Sequence, residues 1–326
     1  MTIAYLTTQG ASLTKEGEVL YLEKDKERIS TILVKDLSAI VIFGHISISP
    51  PALDLIFKNA IPVSFISVHG RYKGKIAPAG DRNVPLRIKQ YALINNEQKA
   101  LSIAKAIINA KIQNAVALLQ SYLKNYPQSP EVAQAKNLLK ESLQQIPYAN
   151  NFNHLRGIEG NASRIYFNAF RYLCRGELKF HKRSRHPAQD PINAVLNFSY
   201  GIVLAEISAL ISGVGLDPDI GIFHQIKYSR PALALDILEE FRAPLADRLS
   251  LYLNNNRILK NDDFHYLPEE GCRFKDHAIK KFIGEYEKFL TKNPNQNFRL
   301  LFRKQAERLR KTIQQDIPYQ PFIWRE

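Results

Sequence analysis

At 326 residues and 45% apolar side chains, the chain is long enough to bury a substantial core and to divide into two domains. Its 45 Lys and Arg against 31 Asp and Glu leave a net charge of +14, which puts nucleic acid first among partner classes, although charge alone serves solubility equally well. Two distant cysteines, Cys174 and Cys272, exclude a disulfide framework and a four-cysteine zinc site, and the short polar start after Met1 carries no secretory signal, so a reducing cytoplasm is expected.

From Ile3 to about Ala77, short runs of β-branched and aromatic residues recur at Val19 to Leu22, Ile29 to Val34, Ala39 to Phe43 and Val63 to Ile66, punctuated by Gly17, Gly44, Gly70 and Gly74. They predict a small antiparallel β domain over residues 1–78, with one short helix after Pro50 and Pro51. Ala79 to Pro85, with Gly80, Asp81 and Asn83, predicts a linker, extended here to residues 79–90. Beyond it a helical period, at Ala104, Ile107, Ile108, Lys111, Ile112, Ala115 and Leu118, opens a larger all-α domain over residues 91–326. The fold class is therefore α+β. Ala194 to Leu216 is the longest apolar stretch, but Asn197, Glu206 and several serines interrupt it, which predicts a buried helix and no membrane span.

Residues 1–85 carry a net charge of only +2, so the polyanion surface belongs to the helical part. Its densest run is Arg171, Arg175, Lys179, Lys182, Arg183 and Arg185, with His181 and His186 interspersed and Tyr172 and Phe180 nearby for stacking. A second cluster, from Arg299 to Lys311, has the spacing of a solvated helix face.

The segment LRGIEGNASRIYFNAF sets Glu159 between Gly157 and Gly160 at the start of an amphipathic helix, where a carboxylate ordinarily offsets the helix dipole. The stretch SGVGLDPDIGIFHQI delivers His224, and Pro231 then opens PALALDILEEF, on which Asp236 and Glu239 are three apart and share a face. Such a pair is either solvated decoration or, with a histidine nitrogen added, a seat for Mg²⁺ or Mn²⁺ in phosphoryl chemistry. Spacing alone leaves both open. The chain has no Walker-type loop, GxGxxG fingerprint or GxSxG elbow, so nucleotide hydrolysis and serine-hydrolase chemistry lack an anchor.

Taken together, the motifs carry a resemblance. QGASLTKEGEVLYLEKD, FGHISISPPAL and IPVSFISVHGRYKGKI are followed by Arg87 and Gln90, then AKAIINAKIQN, RGIEGNASRIYF, SRHPAQDPINAVLNFSYG and HQIKYSRPALALDILEEFRAPLADR. In this order, over essentially the whole chain, they resemble the CRISPR-associated protein numbered one, the spacer-acquisition integrase and endonuclease family. The resemblance implies an N-terminal β domain that forms a two-fold homodimer and a helical catalytic domain that holds DNA and Mg²⁺ or Mn²⁺. It puts the metal ligands on Glu159, His224 and Glu239, the last often aspartate in relatives, with Asp236 beside them in the catalytic group. Lys182, Arg183 and Arg185 are then expected on DNA phosphates. The implied reaction is transesterification, in which the 3′-hydroxyl of a DNA fragment attacks a phosphodiester at the edge of a CRISPR repeat, with hydrolysis as a side activity. The implied partners are the fragment and array DNA, a second copy, and a small ferredoxin-like CRISPR adaptation protein, in a prokaryotic cytoplasm. The rival readings are a non-catalytic DNA-binding or repair scaffold of the same fold, and an RNA-directed nuclease.

Overall fold

The computed structural model describes residues 2–76, 83–185, 187–228, 230–267, 269, 271–291 and 297–325. The first part holds β1 (Thr2–Leu6), β2 (Ser12–Glu16), β3 (Val19–Lys24), β4 (Glu27–Leu33), β5 (Leu37–Phe43), β6 (Ser47–Ile48), α1 (Pro50–Lys58), β7 (Val63–Ile66) and β8 (Tyr72–Ile76). They make two four-stranded sheets, in the orders β1-β5-β7-β8 and β4-β3-β2-β6. The expected antiparallel pairing holds for β2 with β3, β3 with β4 and β7 with β8, whereas β1–β5, β5–β7 and β2–β6 are parallel. For β5–β7 the cause is α1, a crossover helix that returns β7 in the direction of β5. Ser49 starts that helix by accepting from Ala52 N at 3.4 Å, and Pro50 needs no partner in the first turn. Leu13, Leu20, Ile40, Ile42, Leu55 and Val63 form the core between the sheets and α1.

The second part holds α2 (Val84–Asn95), α3 (Glu97–Asn125), α4 (Pro130–Gln145), α5 (Phe152–Leu173), α6 (Pro191–Gly213), α7 (Ala232–Leu238), α8 (Arg248–Asn255), α9 (Asp276–Thr291) and α10 (Phe298–Gln315). This is the larger helical region expected, with two added details. Of the expected linker, residues 79–82 lie outside the described residues, and the rest is mostly helix. Asn83 caps α2 by accepting from Leu86 N at 3.1 Å, and buried Gln90 binds the loop before His224, donating to Asp217 O at 2.8 Å and accepting from Asp217 N at 2.9 Å. The helical part is also not purely α, because β9 (Phe264–Leu267) and β10 (Gly271–Phe274) pair as an antiparallel hairpin.

Helix α6 is the axis on which both parts pack. Among the described residues it is the one helix long and apolar enough to cross a membrane, and most of it is buried inside the protein. Phe198 stacks on Phe43 at 5.1 Å, and a Cβ on Gly201 would lie 1.7 Å from the Gly70 carbonyl oxygen, so both glycines are required for this close approach. Val41, Phe43 and Ile66 of the β part belong to the same core as the helices. One buried polar group sits in this contact. Glu206 of α6 accepts from Tyr286 at 2.9 Å and Tyr5 at 3.2 Å, and Arg299 of α10 donates to Glu206 at 3.0 Å and to Glu287 at 2.8 Å. Arg299 was expected on a solvated face and is instead internal; Arg310, paired with Glu307 at 2.9 Å, fits that face better.

The C-terminal residues return across α3. Trp324 N donates to Asn114 Oδ1 at 2.8 Å, while Glu240 accepts from Phe322 N at 2.6 Å, Tyr319 OH at 2.6 Å and Gln305 at 2.8 Å. Burial pushes the Glu240 carboxyl up to about 7, against the hydrogen bonds from Phe322, Tyr319 and Gln305. A carboxyl raised in the folded state stabilises most below its unfolded value and loses that contribution as pH rises through its folded value. Stability attributable to Glu240 should therefore decline from about pH 4.5 to about 7. Thermal melts across this window should show a decline in the native chain that Glu240→Gln reduces; equal slopes would remove Glu240 as its source.

Candidate active site

Three elements converge behind a cleft of about 630 Å³. The first is α5, which starts at Phe152 under an Asn151 cap that accepts from His154 N at 2.8 Å. Glu159 therefore lies about two turns inside the helix, and compensation of the helix dipole in the first turn does not explain it. Its carboxylate accepts from Ser163 at 2.8 Å and binds the Lys111 ammonium of α3.

The second element is the loop ending at His224. Fully buried Asp236 accepts from Ile222 N at 2.6 Å, Phe223 N at 3.1 Å and His224 N at 2.9 Å, and its Oδ1 lies 2.6 Å from His224 Nδ1. A carboxylate accepting from Nδ1–H holds the ring with Nε2 turned toward the cleft. That Nε2 is 3.6 Å from Glu239 Oε1.

The third element is the end of α7, which tightens into a 3-10 turn at Glu239–Phe241 and then widens into a π-helical turn at Arg242–Asp247. Glu239 is buried, and its Oε2 lies 2.8 Å from Lys111 Nζ and 3.0 Å from Arg242 Nε. Neither contact is aligned as a hydrogen bond, so this buried oxygen has no hydrogen-bond partner. Burial alone would raise the Glu239 carboxyl, but Arg242 and Lys111 outweigh it and hold it well below the usual carboxylate range. Glu159 is held low by the same competition, with burial opposed chiefly by Lys111. Both groups are anionic at neutral pH.

A supporting layer fixes these positions. Asp247 accepts from Tyr200 at 2.5 Å and Tyr166 at 2.7 Å, and the Arg242 guanidinium lies 4.4 Å above the Tyr200 ring. Arg183 donates to Asn193 at 2.8 Å and Asn197 at 2.7 Å and also faces Tyr200, so it is as much a structural group as a surface charge. Arg185 is exposed at the cleft wall, whereas Lys182 is exposed but does not line the cleft. Farther back in the basic run, Arg175 stacks on Tyr126 at 3.8 Å, away from the cleft, and His186 lies outside the described residues.

Glu159, His224, Asp236 and Glu239 are thus brought together, with Asp236 behind His224. Two carboxylates and an imidazole nitrogen suit a hard or borderline divalent cation, and the unpartnered Glu239 oxygen leaves acceptor capacity for one. As the side chains stand, no three His, Cys, Asp or Glu groups among the described residues close on one ion. Lys111 lies between two of them. Sequence reasoning noted Lys111 only as part of a helical stripe, and passed over Arg242, Asp247 and Tyr200; periodicity marks all four simply as helical.

The comparisons with known proteins agree with the fold. A family model described as CRISPR associated protein Cas1 matches residues 4–288. A CRISPR-associated endonuclease Cas1 of Chlorobaculum tepidum is 32% identical over 335 residues, which cover 98% of each chain. The structure of a CAS1 protein from Thermotoga maritima matches with a TM-score of 0.85 and 28% identity over 100% of both chains. A polypeptide in a Cas6-RT-Cas1–Cas2 complex matches with a TM-score of 0.88 and 26% identity, and this chain spans 36% of its length.

Proposed function

The chain belongs to the CRISPR-associated Cas1 family, and from that premise we propose that its cleft joins DNA strands by metal-dependent transesterification and hydrolyses them as a side reaction. The observation that carries this reading is the His224 ring, oriented by Asp236 so that Nε2 meets Glu239, beside Glu159 across a cation-lined cleft. Glu159, Glu239 and His224 would hold one Mg²⁺ or Mn²⁺, which when bound supplies charge stabilisation for the attacked phosphate. Arg185, with Arg156 and Arg230 on the same wall, would hold backbone phosphates on either side. In the transfer, the 3′-oxygen of the fragment bonds to phosphorus and the bond to the array strand's own 3′-oxygen breaks. One proton passes from the attacking hydroxyl to the leaving oxygen, so the number of phosphodiester bonds is unchanged. Water in place of the hydroxyl gives cleavage.

The partners follow the same premise. The edge strand β4 exposes Ile29 and Leu33, apolar surface that a second copy would cover. A small ferredoxin-like adaptation protein is the expected bridge between two such dimers, by likeness to the complex with Cas2.

The deciding experiment mixes the chain, its small partner, Mn²⁺, a DNA fragment and a repeat-bearing plasmid. Joined product is expected from a fragment with a 3′-hydroxyl and none from a 3′-deoxy fragment; joining by both, or by neither, rejects the reaction. Two further results are expected. Asp236→Asn should weaken Mn²⁺ binding by roughly 10- to 100-fold, because a neutral amide supports the His224 tautomer less well; unchanged affinity by titration calorimetry would separate Asp236 from the metal. Arg185→Ala should flatten the dependence of log affinity on log salt by about 0.9, one phosphate contact on duplex DNA. An unchanged slope would put the DNA elsewhere.

A further inference from the structure

Glu159 comes from α5 and Glu239 from the turn after α7, and the only group that touches both, among the described residues, is the Lys111 ammonium. We propose that this ammonium is an internal counter-ion which closes the metal-free site and which a divalent cation must displace. The inference rests on the metal reading given above and adds a named competitor to it.

Three nitrogen groups contact these carboxylates, and two are fixed. Arg242 is wedged between Glu239 and the Tyr200 ring, 4.4 Å from its centroid. His224 is tied to Asp236 at 2.6 Å. Lys111 differs, because its charge rides on a flexible four-carbon stem at the cleft wall, and a partly exposed side chain has room to withdraw. The backbone beneath it does not need to move. Ile107, Ile108 and Ile112 are buried, and Asn114, one turn on, donates to Glu240 O at 2.7 Å and Phe322 O at 3.0 Å.

An ammonium 2.8 Å from Glu239 Oε2 and in contact with Glu159 Oε1 fills the space between the oxygens in which a divalent cation would have to sit, at about 2.0 to 2.6 Å from each. The two cannot share the same space, and each repels the other. Metal entry is thus an exchange of one cation for another. Without either, two carboxylates from separate elements repel across a buried gap.

The test uses the full chain with Mn²⁺ alone, free ion being read by electron paramagnetic resonance and metal-free stability by thermal melting. Lys111→Met is expected to bind Mn²⁺ roughly tenfold more tightly than the native chain, an ordinary magnitude for two coupled ligands. Its metal-free melting temperature should fall, and saturating Mn²⁺ should close that gap. Lys111→Arg, which keeps the charge, should retain native stability and bind no more tightly than the native chain. If Lys111→Met does not fold without metal, Lys111→Gln is read the same way. Equal or weaker Mn²⁺ binding by the folded Met and Gln variants overturns the exchange, as does failure of both to fold even with Mn²⁺. Glu159→Gln separates the two inferences. If the native chain binds no Mn²⁺, or binding survives Glu159→Gln, the metal site itself falls; if native binding is lost in Glu159→Gln and Lys111→Met changes nothing, only the exchange falls.

Discussion

His224→Ala is expected to lower Mn²⁺-dependent strand transfer and cleavage by about 10³-fold or more, the rate equivalent of several kcal/mol of lost charge stabilisation. The fold should survive. Asp236 still accepts from the backbone N–H groups of Ile222, Phe223 and residue 224, so the loop keeps three of its four ties. The side chain lost stands at the cleft edge, where truncation costs little compared with a core site. Single-turnover assays on plasmid DNA, paired with melting curves, make the comparison. Activity within tenfold of native at unchanged stability would remove His224 from the chemistry.

The second large effect is on stability. Arg299→Leu should cost about 3 to 5 kcal/mol, because it leaves Glu206 as a buried carboxylate without its cation. Glu206 would keep the hydroxyls of Tyr5 and Tyr286, which are weak compensation for a charge. Burial would lower the Arg299 guanidinium, but Glu287 and Glu206 raise it strongly, so it stays charged throughout the accessible pH range. Tyr5→Phe, which removes one hydroxyl, should cost only about 1 kcal/mol. Urea titrations placing Arg299→Leu within 1 kcal/mol of the native chain would show that the aromatic and aliphatic packing around α6 holds the two parts together without the ion pairs.

Much of the fold was legible because burial imposes periodicity. Val19 to Leu22, Ala39 to Phe43 and Val63 to Ile66 are strands, Pro50 opens α1, and Ala194 to Leu216 is a core helix. Strand direction was not legible, since parallel and antiparallel partners use the same residue types and the sense is set by the connections between strands, as α1 does for β5 and β7. The start of α2 was not legible because Gly80, Asp81 and Asn83 mark a break in the chain but do not tell where the next helix begins; Asn83 is itself the cap of α2. At the site, Glu159, His224, Asp236 and Glu239 were named by resemblance, and their clustering is geometry that spacing did not contain. Asp236 and Glu239 do share a face toward His224, as three-residue separation on a helix requires. Lys111 and Arg299 were missed or misjudged for one reason. A cation on an amphipathic helix is indistinguishable in sequence from a solvated one until its carboxylate, dozens of residues away, is brought to it.

The π-helical turn at Arg242–Asp247 makes this chain sensitive to length in a way it is not sensitive to composition. A π turn carries one more residue than the α turn it replaces. Arg242 at its start reaches Glu239, and Asp247 at its end reaches Tyr166 and Tyr200, because that extra residue sets the angle between them. Deleting one residue from the segment would rewind it to α geometry and turn α8 by about 100° relative to α7. Asp247 and Arg242 would no longer address the same tyrosine. Variation here should therefore be tolerated as exchange of one side chain for another, and gaps or insertions of a single residue should be excluded between Arg242 and Asp247 in any working copy.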